Sequence, residues 1–136
     1  MTANEQTEIV RRSRELLLPE QGSRLALIYG SFATGKMRPG SDLDIAVLFD
    51  RPLDSERKMD LAARLEKSLS RTVDLADLFS LNGTILRQIL CKGQVLLNND
   101  PAALAVLTRR MIYNQADMMP LVRRTLKERQ MRFING

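Results

Sequence analysis

The stretch LALIYGSFATGKMRPGSDLDIAVLF (residues 25–49) holds two short apolar runs joined by a loop rich in glycine, proline and hydroxyl residues. Runs of five to seven apolar residues bounded by turn signals read as buried strands, here 25–29 and 43–49. The first ends on Gly30-Ser31. The second is entered through Asp42 and Asp44. Side chains two apart on an extended chain share a face, about 7 Å apart along it, so these two carboxylates stand side by side. On a solvated strand that pairing is mildly repulsive. At a strand end facing a cleft it suits Mg²⁺, which takes oxygen ligands and commonly one or two carboxylates plus substrate phosphates.

Working outward, apolar positions Ile9, Val10, Leu16 and Leu17 among charged residues predict a helix over about 5–18, broken at Gln21-Gly22-Ser23. Leu61, Leu65 and Leu69 at spacing four predict a helix over about 54–70, with Asp54 and Ser55 as capping oxygens. TVDLADL (72–78) reads as a third strand and QVLLN (94–98) as a fourth, with a helix over about 82–91 between them, opened by Asn82. Asp100-Pro101 opens a last helical region, which Pro120 is expected to kink, leaving a basic segment over 121–133. Helices interleaved with strands predict an α/β fold: a mixed sheet of three to four strands flanked by helices, with a C-terminal helical extension. The expected division is a domain over 1–100 and a basic extension over 101–136.

Asp74 interrupts an apolar strand, and an unpaired buried charge costs several kcal/mol, on the order set by its desolvation. If strand 72–78 pairs with strand 43–49, Asp74 reaches the cleft of Asp42 and Asp44. Asp77, three residues on, faces away. Gly30-Ser31 fits the same chemistry: a glycine lets phosphates approach the backbone, Ser31 adds a donor, and a short helix at about 32–37 would add its first amides. Gly30 to Lys36 also matches the spacing of a P-loop, but Met37 stands where that motif needs a hydroxyl. Singly, the aspartates read as a turn cap, a solvated strand residue and an arginine partner. Tyr29 reads as core and Cys91 as a buried helix residue. Met111, Met118 and Met119 read as packing groups.

The combined string is specific. Gly30-Ser31, Ala33, Gly35, Ser41-Asp42-Leu43-Asp44 and Ala46-Val47 resemble the minimal nucleotidyltransferase (MNT) branch of the polymerase-beta-like nucleotidyltransferases, and Val73-Asp74-Leu75 resembles that family's third-carboxylate strand. Size, Gly93-Gln94 and the C-terminal segment are similar to the MNT antitoxins of HEPN–MNT toxin–antitoxin pairs. The resemblance implies transfer of AMP from ATP to a tyrosine hydroxyl of a HEPN ribonuclease. It implies Gly30, Ser31 and Ser41 at the nucleotide, Asp42, Asp44 and Asp74 around two Mg²⁺ ions, and Asp74 as proton acceptor. Where many members carry Gly-Ser-Arg-Ala-Arg-Gly, Phe32 and Thr34 replace the arginines, so Lys36 or Arg38 would have to substitute. The alternatives are a non-catalytic antitoxin that neutralises by contact, and a small-molecule nucleotidyltransferase.

Charge and cysteine content narrow the setting. The net charge is +5, and residues 101–136 carry seven basic and two acidic groups, so the whole excess lies there. That reads as a nucleic-acid footprint, a docking surface for an acidic partner or a solvated helix face, and of these direct nucleic-acid binding is not the expected one. One cysteine excludes an internal disulfide. With neither a membrane span nor a signal sequence read in the chain, the expected location is the cytoplasm. Self-association or complex formation is expected of the C-terminal helix.

Overall fold

The computed structural model describes residues 1–114. The expectations for Pro120, for Met118 and Met119 and for the basic segment over 121–133 lie outside the described residues.

The helix α1 (Ala3–Leu17) starts two residues earlier than apolar spacing indicates. Thr2 and Glu5 form a reciprocal cap: the Thr2 hydroxyl accepts from the Glu5 amide at 3.1 Å, and the Thr2 amide donates to Glu5 Oε2 at 3.2 Å. The strands β1 (Ser23–Tyr29) and β2 (Leu43–Phe49) follow, then α2 (Ser55–Leu69), β3 (Val73–Asp77), α3 (Gly83–Lys92), β4 (Gln94–Asn98) and α4 (Pro101–Asn114). Asp54 caps α2 as expected, its Oδ1 accepting from the Arg57 amide at 2.7 Å. Asn82 occupies the cap position of α3, but its side chain makes no capping bond. Cys91 is half-buried rather than buried.

The sheet order is β3-β2-β1-β4. β1 runs antiparallel to β2 and β4, and β2 runs parallel to β3. The expected pairing of 72–78 with 43–49 is therefore formed. Alternation divides the core in two. Leu43, Ile45, Val47, Val73 and Leu75 face α1 and α2, against Ile9, Leu17, Leu61, Leu65 and Leu69. Leu25, Leu27, Tyr29, Ala46 and Leu48 face α3 and α4, against Leu86, Ile89, Leu90, Ala103, Leu107 and Met111. β1 and β2 read as unbroken apolar runs because both of their faces are covered.

Candidate active site

The end of β1 and the starts of β2 and β3 meet at one end of the sheet. In the parallel register Leu43 lies opposite Val73 and Asp44 opposite Asp74. Neighbouring strands are about 4.8 Å apart, so two paired aspartates on one face are close neighbours. Leu43 and Val73 belong to the α1/α2 core, which places Asp44 and Asp74, one position out of step, on the opposite face. Asp42 precedes β2 and is exposed, as is Asp74; Asp44 is half-buried. Burial, then the Asp74 carboxylate, then that of Asp42, hold the Asp44 carboxyl above its ordinary range. Asp77 is elsewhere. Its Oδ2 accepts from the Leu53 amide and its Oδ1 from the Phe79 amide, both at 2.9 Å, so it ties the β2–α2 connection to β3.

Across β2, Tyr29 is the register partner of Asp44. Its ring is buried in the α3/α4 core, as the sequence leads one to expect. The sequence gives no sign of what its hydroxyl faces. Burial first, and then Asp44 and Asp74, push that hydroxyl up to about 12 from an ordinary 10.0. The folded chain keeps the Tyr29 proton longer than the unfolded chain does. The stability linked to it is whole below pH 10 and is lost as pH rises through about 12. Ultraviolet titration of tyrosinate is expected to show a late step that Tyr29→Phe removes and Asp44→Asn moves to lower pH.

Gly30 ends β1 with φ +69°, the left-handed region, and its missing side chain matters as much as its backbone. A Cβ there would collide with Asp44 Oδ2 and sit 3.2 Å from its carboxyl carbon. The carboxylate of Asp44 lies directly over the glycine. The short helix considered for 32–37 is absent. The chain makes a single turn closed by bonds from Thr34 N to Gly30 O (3.2 Å) and Lys36 N to Ser31 O (2.9 Å), and the Thr34 hydroxyl donates back to Gly30 O at 3.3 Å. Phe32 packs into the α1/α2 core at 6% exposure, so this position is committed to the fold. Ser41 closes a second turn over Arg38-Pro39-Gly40-Ser41. Its amide donates to Arg38 O at 3.0 Å and its hydroxyl accepts from the Arg38 amide at 3.1 Å, leaving the hydroxyl proton free to donate.

The family model described as Polymerase beta, Nucleotidyltransferase matches residues 14–102, more than half of the chain. The chain belongs to the polymerase beta nucleotidyltransferase family. The region matched in this nucleotidyltransferase contains Gly30, Ser31, Ser41 and all three aspartates. The protein adenylyltransferase MntA of Shewanella oneidensis is 38% identical over 82 residues, 59% of either chain. The match thus spans less than two thirds of that relative's length. Two solved structures share the nucleotidyltransferase fold. One, a toxin–antitoxin complex with AMP-PNP, matches at 24% identity and TM-score 0.64, over 93% of this chain and 99% of the other. The second is a tri-AMPylated Shewanella oneidensis HEPN toxin in complex with MNT antitoxin, matched at 25% identity and TM-score 0.61 over 93% and 99%.

Among the described residues, no group of three His, Cys, Asp or Glu side chains forms a ready-made metal cage. This nucleotidyltransferase nevertheless offers a donor set that fits Mg²⁺. The ion is usually held by one or two carboxylates with substrate phosphates and waters, not by a full protein cage. The Asp74 and Asp42 carboxylates both disfavour the charged form of Asp44, and a divalent cation would relieve that repulsion.

Proposed function

We propose that this chain is an Mg²⁺-dependent protein adenylyltransferase of the antitoxin type, which moves AMP from ATP to a tyrosine hydroxyl on a HEPN-type toxin. The observation that carries the reading is the β2–β3 register, with Asp44 beside Asp74 and Asp42 one step away, next to the glycine that ends β1. Acidic side chains from two separate stretches gain little for the fold by standing at one sheet end, and they suit phosphoryl transfer, which consists largely of positioning and charge neutralisation. MntA, the relative at 38% identity, supports the class of reaction. The AMPylated HEPN toxin in the structural neighbour supports the class of acceptor.

Asp42 and Asp44 would hold the metal, with Asp74 completing the site. Bound Mg²⁺, as one ion or two, supplies neutralisation of the phosphate charge and polarisation of the phosphorus centre. The chain's own groups do the rest. With the amides of Thr34, Gly35 and Lys36 engaged inside the turn, the backbone of 31–33 and the Ser31 hydroxyl are left to meet phosphate oxygens. Ser41 Oγ has its proton to offer. Asp74 takes the proton of the incoming hydroxyl as its oxygen bonds to the α-phosphorus and pyrophosphate departs. Residues 1–100 would form the catalytic unit and 101–136 the docking extension. The inner face of α4 is already core through Ala103, Leu107 and Met111, so Val106 and Tyr113, at 55% and 75% exposure, mark the face left for a partner. No described helix is long and apolar enough to cross a membrane, and a cytoplasmic setting is the one in which ATP is at hand.

The test is incubation with α-labelled ATP, Mg²⁺ and a HEPN protein from the adjoining reading frame. One label per modified tyrosine, lost on chelation, is expected. A protein that binds ATP with its metal and labels no partner would sink the proposal.

A further inference from the structure

The end of the sheet that carries the aspartates has two flanks. The Gly30 turn lies at the end of β1, and β3 is the edge strand on the other side of β2. In phosphoryl transfer the attacking and leaving oxygens lie roughly in line across the phosphorus. Phosphates seated at the Gly30 turn put the leaving group on the β1 flank. The incoming hydroxyl then arrives from the β3 flank, where Asp74 stands.

The β3 flank is hollow. A cavity of about 590 Å³ lies between the turn Pro39-Gly40-Ser41 and the connection Ser70-Arg71-Thr72, with Glu66 of α2 in its wall. These two segments lead directly into Asp42 and into Val73-Asp74, and the Leu43 amide ties them by donating to Thr72 O at 2.9 Å. A second cavity of about 290 Å³ shares Ser70 and Arg71 with the first and is walled by α1 through Glu5, Glu8 and Arg12. Pockets of roughly 300–1,000 Å³ receive ligand-sized groups, so this pair has room for several side chains of an approaching chain.

Four of the five charged side chains in these walls are committed to the fold. Glu5 holds the Thr2 amide, and Glu8 holds Arg11 and Arg12. Arg12 also donates to Ser68 O at 2.9 Å, and Glu66 Oε1 accepts from the Val73 amide at 3.1 Å. Arg71 is different. It borders both cavities and is half-buried, yet it enters no hydrogen bond or ion pair among the described residues. A guanidinium so placed keeps its whole fork of donors, which matches the two oxygens of a carboxylate. The phosphates of ATP lie on the other flank of the aspartates, so the carboxylate must come with the acceptor.

We propose that the hollow at Ser70-Arg71 seats the acceptor protein, and that Arg71 pairs there with an acidic side chain of the segment that carries the tyrosine. The flank from which the hydroxyl arrives rests on the reading of the site given above. Arg71 touches neither the nucleotide nor the reacting atoms. It selects the acceptor and places it.

The experiment measures steady-state labelling of the HEPN protein of the adjoining reading frame, beside calorimetric binding of the same protein without ATP. Arg71→Ala is expected to raise both KM and Kd for the HEPN protein about tenfold, and Arg71→Glu about a hundredfold. In both, kcat and the KM for ATP are expected to stay within about twofold of wild type. Arg71→Lys should recover part of the loss. Arg51→Glu makes the same charge change at the opposite end of β2 and is expected to alter neither constant, which separates pairing from a general loss of positive charge. One acid-to-arginine change near the labelled tyrosine is expected to restore affinity for Arg71→Glu. HEPN binding within about twofold of wild type in Arg71→Glu would overturn the proposal, as would a loss that appears in the KM for ATP, or rescue at none of the acidic positions. If Arg71→Glu labels its partner as well as the wild type does, this inference alone fails. If the wild type binds the HEPN protein through Arg71 but labels nothing, adenylyl transfer alone fails.

Discussion

Asp44→Asn is expected to cut label transfer from ATP by at least about a thousandfold, while the variant melts at a higher temperature than wild type in metal-free buffer. The first effect follows from the loss of a carboxylate that holds the metal, whose charge stabilisation contributes several kcal/mol, and three decades of rate correspond to about 4 kcal/mol. The second follows from the electrostatics. Burial and the neighbouring Asp74 and Asp42 raise the Asp44 carboxyl, so its charged form is disfavoured in the folded chain. Stability linked to Asp44 is whole below its ordinary value of 3.8 and is lost as pH rises through the raised value. The variant and the wild type should therefore melt alike in acid and diverge above it. Thermal denaturation across pH with chelator present is the measurement. A variant that melts lower at neutral pH would mean that Asp44 supports the fold. The double change Asp42→Ala with Asp44→Ala separates catalysis from contact: if it still neutralises the toxin in cells without labelling it, binding alone is the mechanism.

Gly30→Ala is expected to fail twice. A left-handed backbone at a residue with a side chain costs about 1–3 kcal/mol, and φ at Gly30 is +69°. The added methyl also displaces the Asp44 carboxylate that lies over it. A lower melting temperature together with transfer reduced at least about a hundredfold is expected. The comparison is Gly35→Ala, whose φ is +73° but whose side chain would meet open space. It should share the backbone penalty and keep most of the transfer activity. Equal losses in the two variants would show that backbone strain alone accounts for both.

The sheet was legible in the sequence because β1 and β2 are covered on both faces and leave continuous apolar runs. Asp74 could be told from Asp77 by alternation alone. The structure gives the second aspartate its own task, accepting the Leu53 and Phe79 amides. Local polar geometry was harder to read. Residues 32–37 carry no signal that distinguishes one closed turn from a short helix, and hydrogen bonds back to Gly30 O and Ser31 O decide it. The start of α1 was fixed by Thr2 and Glu5, a reciprocal cap that apolar periodicity ignores. Asn82 has the right chemistry for a cap and the wrong orientation. Phe32 looks like a substitution within a phosphate loop until its burial against α1 and α2 is known. The hydroxyl of Tyr29 meets the carboxylates only through a cross-strand pairing that local patterns do not encode.

The central claim is that residues 42, 44 and 74 share a divalent cation beside the turn at residue 30. Crystals grown with Mn²⁺ and a non-hydrolysable ATP analogue test it most directly, since anomalous scattering locates the ion without ambiguity. The ion is expected on the carboxylates of Asp42 and Asp44, with that of Asp74 directed at the same position and the phosphates reaching Ser31. An ion held elsewhere, or an Asp74 side chain turned away from the other two, would contradict the account.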